Sequence, residues 1–198
     1  MLAKCAHLLA SQLLRNINEE NSKKEIYEYG SQLLLSTLGC ICFILLISTI
    51  LSVLPVPLLF LSVFFTLRLF AGGFHASTYG RCFILSNFVC FFCVFLSFFL
   101  NSQNEISYVV TSEIILAAVS TAIIFILAPI RHKNHPLSEA RYNRNRRIAR
   151  SLVLVDFSAA LLAVAVGSTL CAITISVTLT AVAVMMIIPT FFEGRKEL

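Results

Sequence analysis

From Leu33 to Leu67 the chain carries no charged residue, and beyond a short polar interruption Phe83 to Leu100 is equally bare. Two further apolar stretches follow, Ile106–Ile130 with Glu113 as its one charge and Ser151–Phe192 with Asp156 as its one charge. Backbone polar groups in hydrocarbon must be satisfied within their own segment, and a run of about 20 apolar residues does this by crossing the bilayer as a helix. At 58% hydrophobic and 13% charged, the chain also has more apolar surface than a soluble core of 198 residues can hide. The expected fold class is an all-α polytopic membrane protein, with residues 1–198 forming a single membrane domain. The first apolar run comes too late for a secretory signal, because a polar and amphipathic segment, residues 1–32, precedes it.

The uncharged runs predict about six spans: Leu33–Leu54, Val56–Phe70, Phe83–Leu100, Ile106–Ile130, Ser151–Val166 and Ser168–Phe192. Pro55 and Pro57 mark the first turn, and Gly167 and Ser168 divide the last long run. The second span is short and must continue past Arg68, whose side chain is expected to snorkel to the interface. With six spans, all 15 Lys and Arg residues fall on one face. The positive-inside rule then makes both termini cytoplasmic, along with the polar interruption at residues 68–82, the basic loop at residues 131–150 and the tail at residues 193–198. Residues 33–130 thus hold four spans and residues 151–192 the last two. At the N-terminus Leu2, Leu9, Leu13 and Ile17 recur near helical spacing among polar neighbours, which predicts an amphipathic helix lying on the inner leaflet or a plain packing helix. A lipid bilayer with an anionic inner leaflet is the first expected partner.

The interruption reads RLFAGGFHASTYGRC, from Arg68 to Cys82. A cysteine nucleophile needs a base to form its thiolate, and His75 is the histidine within reach of Cys82 in sequence. On an unbroken helix the two would stand about 10 Å apart along the axis, so the helix is expected to break between them, with Gly80 available for the break. Ser77 or Thr78 would then cap a new helix carrying Cys82 in its opening turns, where the positive end of the helix favours thiolate. Gly72 and Gly73 would let the backbone approach a substrate chain, and Arg68 would hold a carboxylate or carbonyl.

Spacing alone leaves plainer readings open beside this one. His75 would serve equally as a polar tip at the headgroups, Cys82 as one small hydrophobe among 7 cysteines, and Arg68 and Arg81 as topology anchors. Cys90 and Cys93 have a redox spacing, yet in mid-span they read as packing residues. His132 and His135 have only Glu139 as a nearby acid, so no metal is expected, and neither a cofactor nor a nucleic-acid partner is implied. Asp156, an acid within a span, is a candidate to orient His75, the alternative being a pair with Arg147 or Arg150. Glu113 lies on the outer half of its span, away from this chemistry. A channel or carrier would need polar residues at mid-depth in several spans, which offer scattered Ser and Thr; a docking scaffold would use the basic loop alone.

Arg68, Gly72, Gly73, His75 and Ala76, followed by Cys82, form the pattern R-x-x-x-G-G-x-H-A with a cysteine seven residues after the histidine. This pattern resembles the accessory gene regulator B (AgrB) family of membrane cysteine endopeptidases. Leu127-Ala128-Pro129, Asn134-His135-Pro136-Leu137 and Pro189-Thr190-Phe191-Phe192 resemble the layout of the same family, so the likeness covers nearly the whole chain. It implies a catalytic pair, His75 and Cys82, that cuts a short quorum-sensing precursor peptide on the cytoplasmic side. The C-terminal tail is removed, and the retained part closes into a thiolactone or lactone ring. The resemblance also suggests a homodimer.

Between Arg131 and Arg150 lie seven basic residues and one acid, Glu139. Lipid attraction, roughly 1 kcal/mol per basic residue at an anionic surface, accounts for Arg131 and Lys133. The cluster at Arg141, Arg144, Arg146, Arg147 and Arg150 is denser than topology requires. If it is helical, Arg146 and Arg150 share a face and could grip the acidic tail that the resemblance leads one to expect of the precursor.

Overall fold

The computed structural model describes residues 24–72, 79–130 and 138–194. These form six helices and, among the described residues, no strand: α1 (Lys24–Ile50), α2 (Pro55–Ala71), α3 (Tyr79–Asn101), α4 (Ile106–Leu127), α5 (Glu139–Ala165) and α6 (Thr169–Gly194). Four of them, α3 to α6, contain stretches long and apolar enough to cross a membrane, while Thr37–Ile50 and Pro55–Ala71 are shorter apolar helices. The expected interfacial helix at residues 1–17 lies outside the described residues.

Two helix boundaries differ from the expectation. Helix α1 begins at Lys24 rather than Leu33, so the helix takes in charged residues ahead of the uncharged run. Helix α5 begins at Glu139, so residues 139–150 are helix and not loop. The local chemistry explains the early start. Ser138 is the N-cap, its hydroxyl accepting from the Arg141 backbone N–H at 3.4 Å, and Glu139 sits in the first turn at the positive end of the helix. Arginine is a strong helix former, so hydropathy alone drops where the helix does not.

The chain divides into two compact units. One contains α1 and α3 as far as Phe88. There Cys40, Ile44 and Ser48 form a buried stripe at four-residue spacing on α1. Asn87, itself buried, donates from Nδ2 to the Phe83 carbonyl at 2.8 Å and toward Cys40 Sγ at 3.3 Å. Phe43 and Phe83 meet with ring centroids 6.0 Å apart.

The other unit contains α2, the remainder of α3, and α4 to α6. Helix α6 is its centre, packed against α2, α4 and α5. Ala172 to Leu179 are buried in unbroken succession, which a helix achieves only when neighbours cover its whole circumference. Two of its hydroxyls do not oppose this burial, because Thr174 and Thr178 donate to the carbonyls of Leu170 and Thr174, four residues back. The other helices bury narrower stripes and expose large apolar side chains, among them Ile115, Ile126, Leu154, Val155 and Leu162. Lipid is the solvent that such faces require.

Candidate active site

The interruption begins where α2 stops, and the stop has a definite cause. Gly72 adopts φ 76°, ψ −147°, a region in which glycine is the natural occupant, and its N–H closes the last turn on the Arg68 carbonyl at 3.2 Å. The Ala71 carbonyl then accepts from the Ile130 N–H at 3.1 Å, tying the end of α2 to the segment that follows α4. A Cβ at Gly72 would meet Ile130 only at ordinary contact distance, 3.7 Å, so backbone strain is the whole penalty. Gly72→Ala is expected to lower stability by about 1–3 kcal/mol, measured by thermal unfolding in detergent.

Arg68 lies in the last turn of α2 and is half-buried. The helix continues past it to Ala71, as the short second span required. Its guanidinium lies 5.7 Å from the centre of the Phe64 ring, with Nη1 directed at Met185 Sδ of α6 at 3.8 Å. The aromatic face offers the cation a partner within the helix packing that water would otherwise supply.

Gly73, His75 and Ser77 fall outside the described residues. The backbone of Cys82 is described and lies in the opening turn of α3, as expected; its side chain is outside the described set. Among the described residues α3 starts at Tyr79, so Gly80 stands inside its first turn rather than at a break. Cys90 and Cys93 are buried within α3, in keeping with packing. Cys90→Ala and Cys93→Ala are expected to match the wild type in any peptide-cleavage assay of the chain, and loss of activity at normal protein level would restore their redox reading.

The two arginines expected to act together are placed differently. Arg150 donates from Nε to the Phe125 carbonyl at 3.0 Å and stacks over the Phe125 ring, with Cζ 4.4 Å from its centre. It thereby satisfies one of the carbonyls that the end of α4 leaves open. Arg146 is half-buried, and its Nε is shielded without a hydrogen-bond partner among the described residues. Arg144 and Arg147 are exposed.

Asp156 stands on the inward stripe of α5 formed by Arg146, Ala149, Val153, Asp156 and Ala160, spaced three and four apart. Its Oδ2 is buried without a partner, so neither the Arg147 nor the Arg150 pairing forms. The roles of Phe64, Phe125 and Met185 as seats for the two arginines escaped the sequence reading. An aromatic residue one turn from an arginine, as in Phe64 and Arg68, is the signal that was available.

A sequence profile described as accessory gene regulator B matches residues 4–189. This chain belongs to the accessory gene regulator B family. Two AgrB-like proteins of Clostridium perfringens are similar to it, AgrB-like protein 2 of strain 13 (type A) and an AgrB-like protein of strain SM101 (type A). Each is 26% identical over 168 residues, covering 83% of this chain and 78% of the relative. No solved structure matches the chain. Membership in the AgrB family agrees with the apolar helices in making this a membrane protein and points to the processing of quorum-sensing peptides.

Proposed function

We propose that this AgrB-family chain is a membrane cysteine endopeptidase that removes the C-terminal tail of a short quorum-sensing precursor peptide. The observation that carries the reading is the family match across residues 4–189, which takes in the whole of the Arg68–Cys82 motif. The position of Cys82 in the opening turn of α3 supports it, because unpaired backbone N–H groups there favour negative charge on sulfur. His75 takes the thiol proton, and Cys82 Sγ attacks the scissile carbonyl. His75 then protonates the departing amine as the C–N bond breaks, leaving an acyl thioester on Cys82. An internal Cys or Ser of the substrate attacks the thioester, gives its proton to His75 and frees Cys82, closing a thiolactone or lactone ring. The apolar surroundings favour this outcome by keeping water from the thioester.

Arg68, Gly72, Gly73 and Ser77 would hold the substrate backbone, with Asp156 orienting His75. Arg146 would face its acidic tail, beside Arg150 at the end of α4. The active site faces the cytoplasm, the basic residues meet an anionic inner leaflet, and two copies associate as a homodimer. The deciding experiment mixes purified protein in detergent with a candidate precursor and follows peptide mass: cleavage before the acidic tail is expected, and an unchanged precursor would sink the reading. Topology has its own test. A membrane-impermeant thiol label is expected to reach an engineered cysteine at Ser102 from outside and one at Ser138 only after the membrane is opened, and the reverse pattern would invert the orientation.

A further inference from the structure

Helix α5 runs unbroken from Glu139 to Ala165, and its surroundings change part-way along. The change can be placed against α4. Arg150 donates to the Phe125 carbonyl at 3.0 Å, so it marks the level at which α4 comes to its end at Leu127. No residue from Glu139 to Ile148 is buried, whereas Ala149, Val153 and Ala160 are, so the turns ahead of Arg150 project beyond the packed helices. Those turns carry Arg141, Arg144, Arg146 and Arg147.

The buried residues Ala149, Val153 and Ala160 define one side of the helix. On the opposite side Arg144, Arg147, Ser151, Leu154, Ser158 and Leu162 follow one another at spacings of three and four, and all are exposed. Leu154 is 49% exposed and Leu162 65%, which makes the second half of this stripe a face for lipid tails. One stripe thus passes from apolar side chains to two guanidinium groups without a break in the helix. Arg146 lies toward the buried side and Arg150 on the flank that meets α4, so neither shares it. Glu139, the one acid between Arg131 and Arg150, is off the stripe as well.

Depth agrees with this division. Arg147 stands about 28 Å from Val166 at the rise of a helix, against about 30 Å of hydrocarbon in a bilayer. Arg147 is therefore at the hydrocarbon edge, with Arg144 about 4–5 Å farther out among the headgroups. Helical side chains lean toward the N-terminus, which carries both guanidinium groups outward. An acidic peptide would use the arginines alone. A phospholipid matches the stripe along its whole length, and an anionic one brings no ammonium group to be repelled by two arginines.

We propose that this stripe of α5 is a binding site for an anionic phospholipid. Arg144 and Arg147 hold the headgroup phosphate by charge-assisted hydrogen bonds, the Ser151 hydroxyl stands one turn deeper, and an acyl chain lies along Leu154 and Leu162. The site is separate from the peptidase reading and stands or falls without it.

The chain contains no tryptophan, so one introduced on the stripe by Leu154→Trp reports alone. The full chain is reconstituted in phosphatidylcholine bilayers, and its fluorescence is followed as brominated phosphatidylglycerol or brominated phosphatidylcholine is added, bromine quenching the indole it touches. Phosphatidylglycerol is expected to be preferred several-fold and up to about 30-fold, from roughly fivefold for each arginine at an anionic surface. Arg144→Gln with Arg147→Gln is expected to bring the ratio to one, whereas Arg144→Lys with Arg147→Lys keeps the charge and is expected to retain most of the preference. A second reporter, Ile115→Trp on the exposed face of α4, is expected to show no preference. Equal quenching by the two lipids at Leu154→Trp would overturn the proposal, as would a preference that survives the glutamine pair, is lost in the lysine pair or appears equally at Ile115→Trp. Loss of the preference in millimolar inorganic phosphate would replace the lipid by a free anion, and loss on adding a glutamate-rich peptide would give the arginines to an acidic peptide; either would overturn it too.

Discussion

Cys82→Ala is expected to leave a folded, membrane-inserted protein with no detectable cleavage of its precursor peptide. Neither that thiol nor the His75 imidazole is needed to cross lipid, whereas the proposed reaction cannot begin without the sulfur nucleophile. His75→Ala removes the group proposed to ionise the thiol and protonate the leaving amine, and a loss of about 10²–10⁴-fold is expected from what general acid–base catalysis contributes. Turnover should fall together with kcat/KM, since both interactions belong to the transition state. The assay is the mass of the precursor and its products after incubation with each purified variant. Cleavage that persists in Cys82→Ala would remove Cys82 from the mechanism whatever the variant at His75 does.

The second large effect separates two arginines that look alike in sequence. Arg150 satisfies the Phe125 carbonyl at 3.0 Å and covers its ring, so Arg150→Ala is expected to lower stability by about 1–3 kcal/mol, the range for a lost donor to a shielded acceptor with some loss of cation–π contact. Arg146 makes no such bond through its Nε. Arg146→Ala is therefore expected to unfold near the wild-type temperature and to raise KM for an acidic-tailed precursor more than it lowers kcat, with added salt weakening wild-type binding in the same sense. Thermal unfolding in detergent and cleavage kinetics at several salt concentrations report the two effects separately. If Arg150→Ala unfolded like wild type while Arg146→Ala lost stability, the division of labour would be reversed.

Much of this was legible in the residues themselves. The cost of unpaired backbone groups in hydrocarbon is so large that uncharged runs such as Phe83–Leu100 leave helix as the one local solution, whatever surrounds them. The stop after α2 was equally local, because Gly72 takes a backbone conformation that few other residues tolerate. The order of Arg68, Gly72, His75 and Cys82 carried the family resemblance directly.

Other features arise only when helices meet. The apolar stretches of α3, α4 and α6 look much alike as sequence, yet α6 alone buries eight successive residues, because three neighbours surround it. The early start of α5 was hidden by its arginines, whose charge lowers hydropathy while their helix propensity stays high. The basic cluster gave no sign that Arg150 would close the end of α4, a role fixed by the position of the Phe125 carbonyl on another helix. Asp156 and Glu113 stood out as charges in apolar runs, but whether a charge in a span is paired depends on which faces touch. The sequence determined that these segments are helices in lipid and which residues could do chemistry, since both follow from local composition and backbone satisfaction. Tertiary packing decided which helix is the core, which arginine is structural and which carboxyl oxygens are left partnerless, since each depends on atoms brought together from distant parts of the chain.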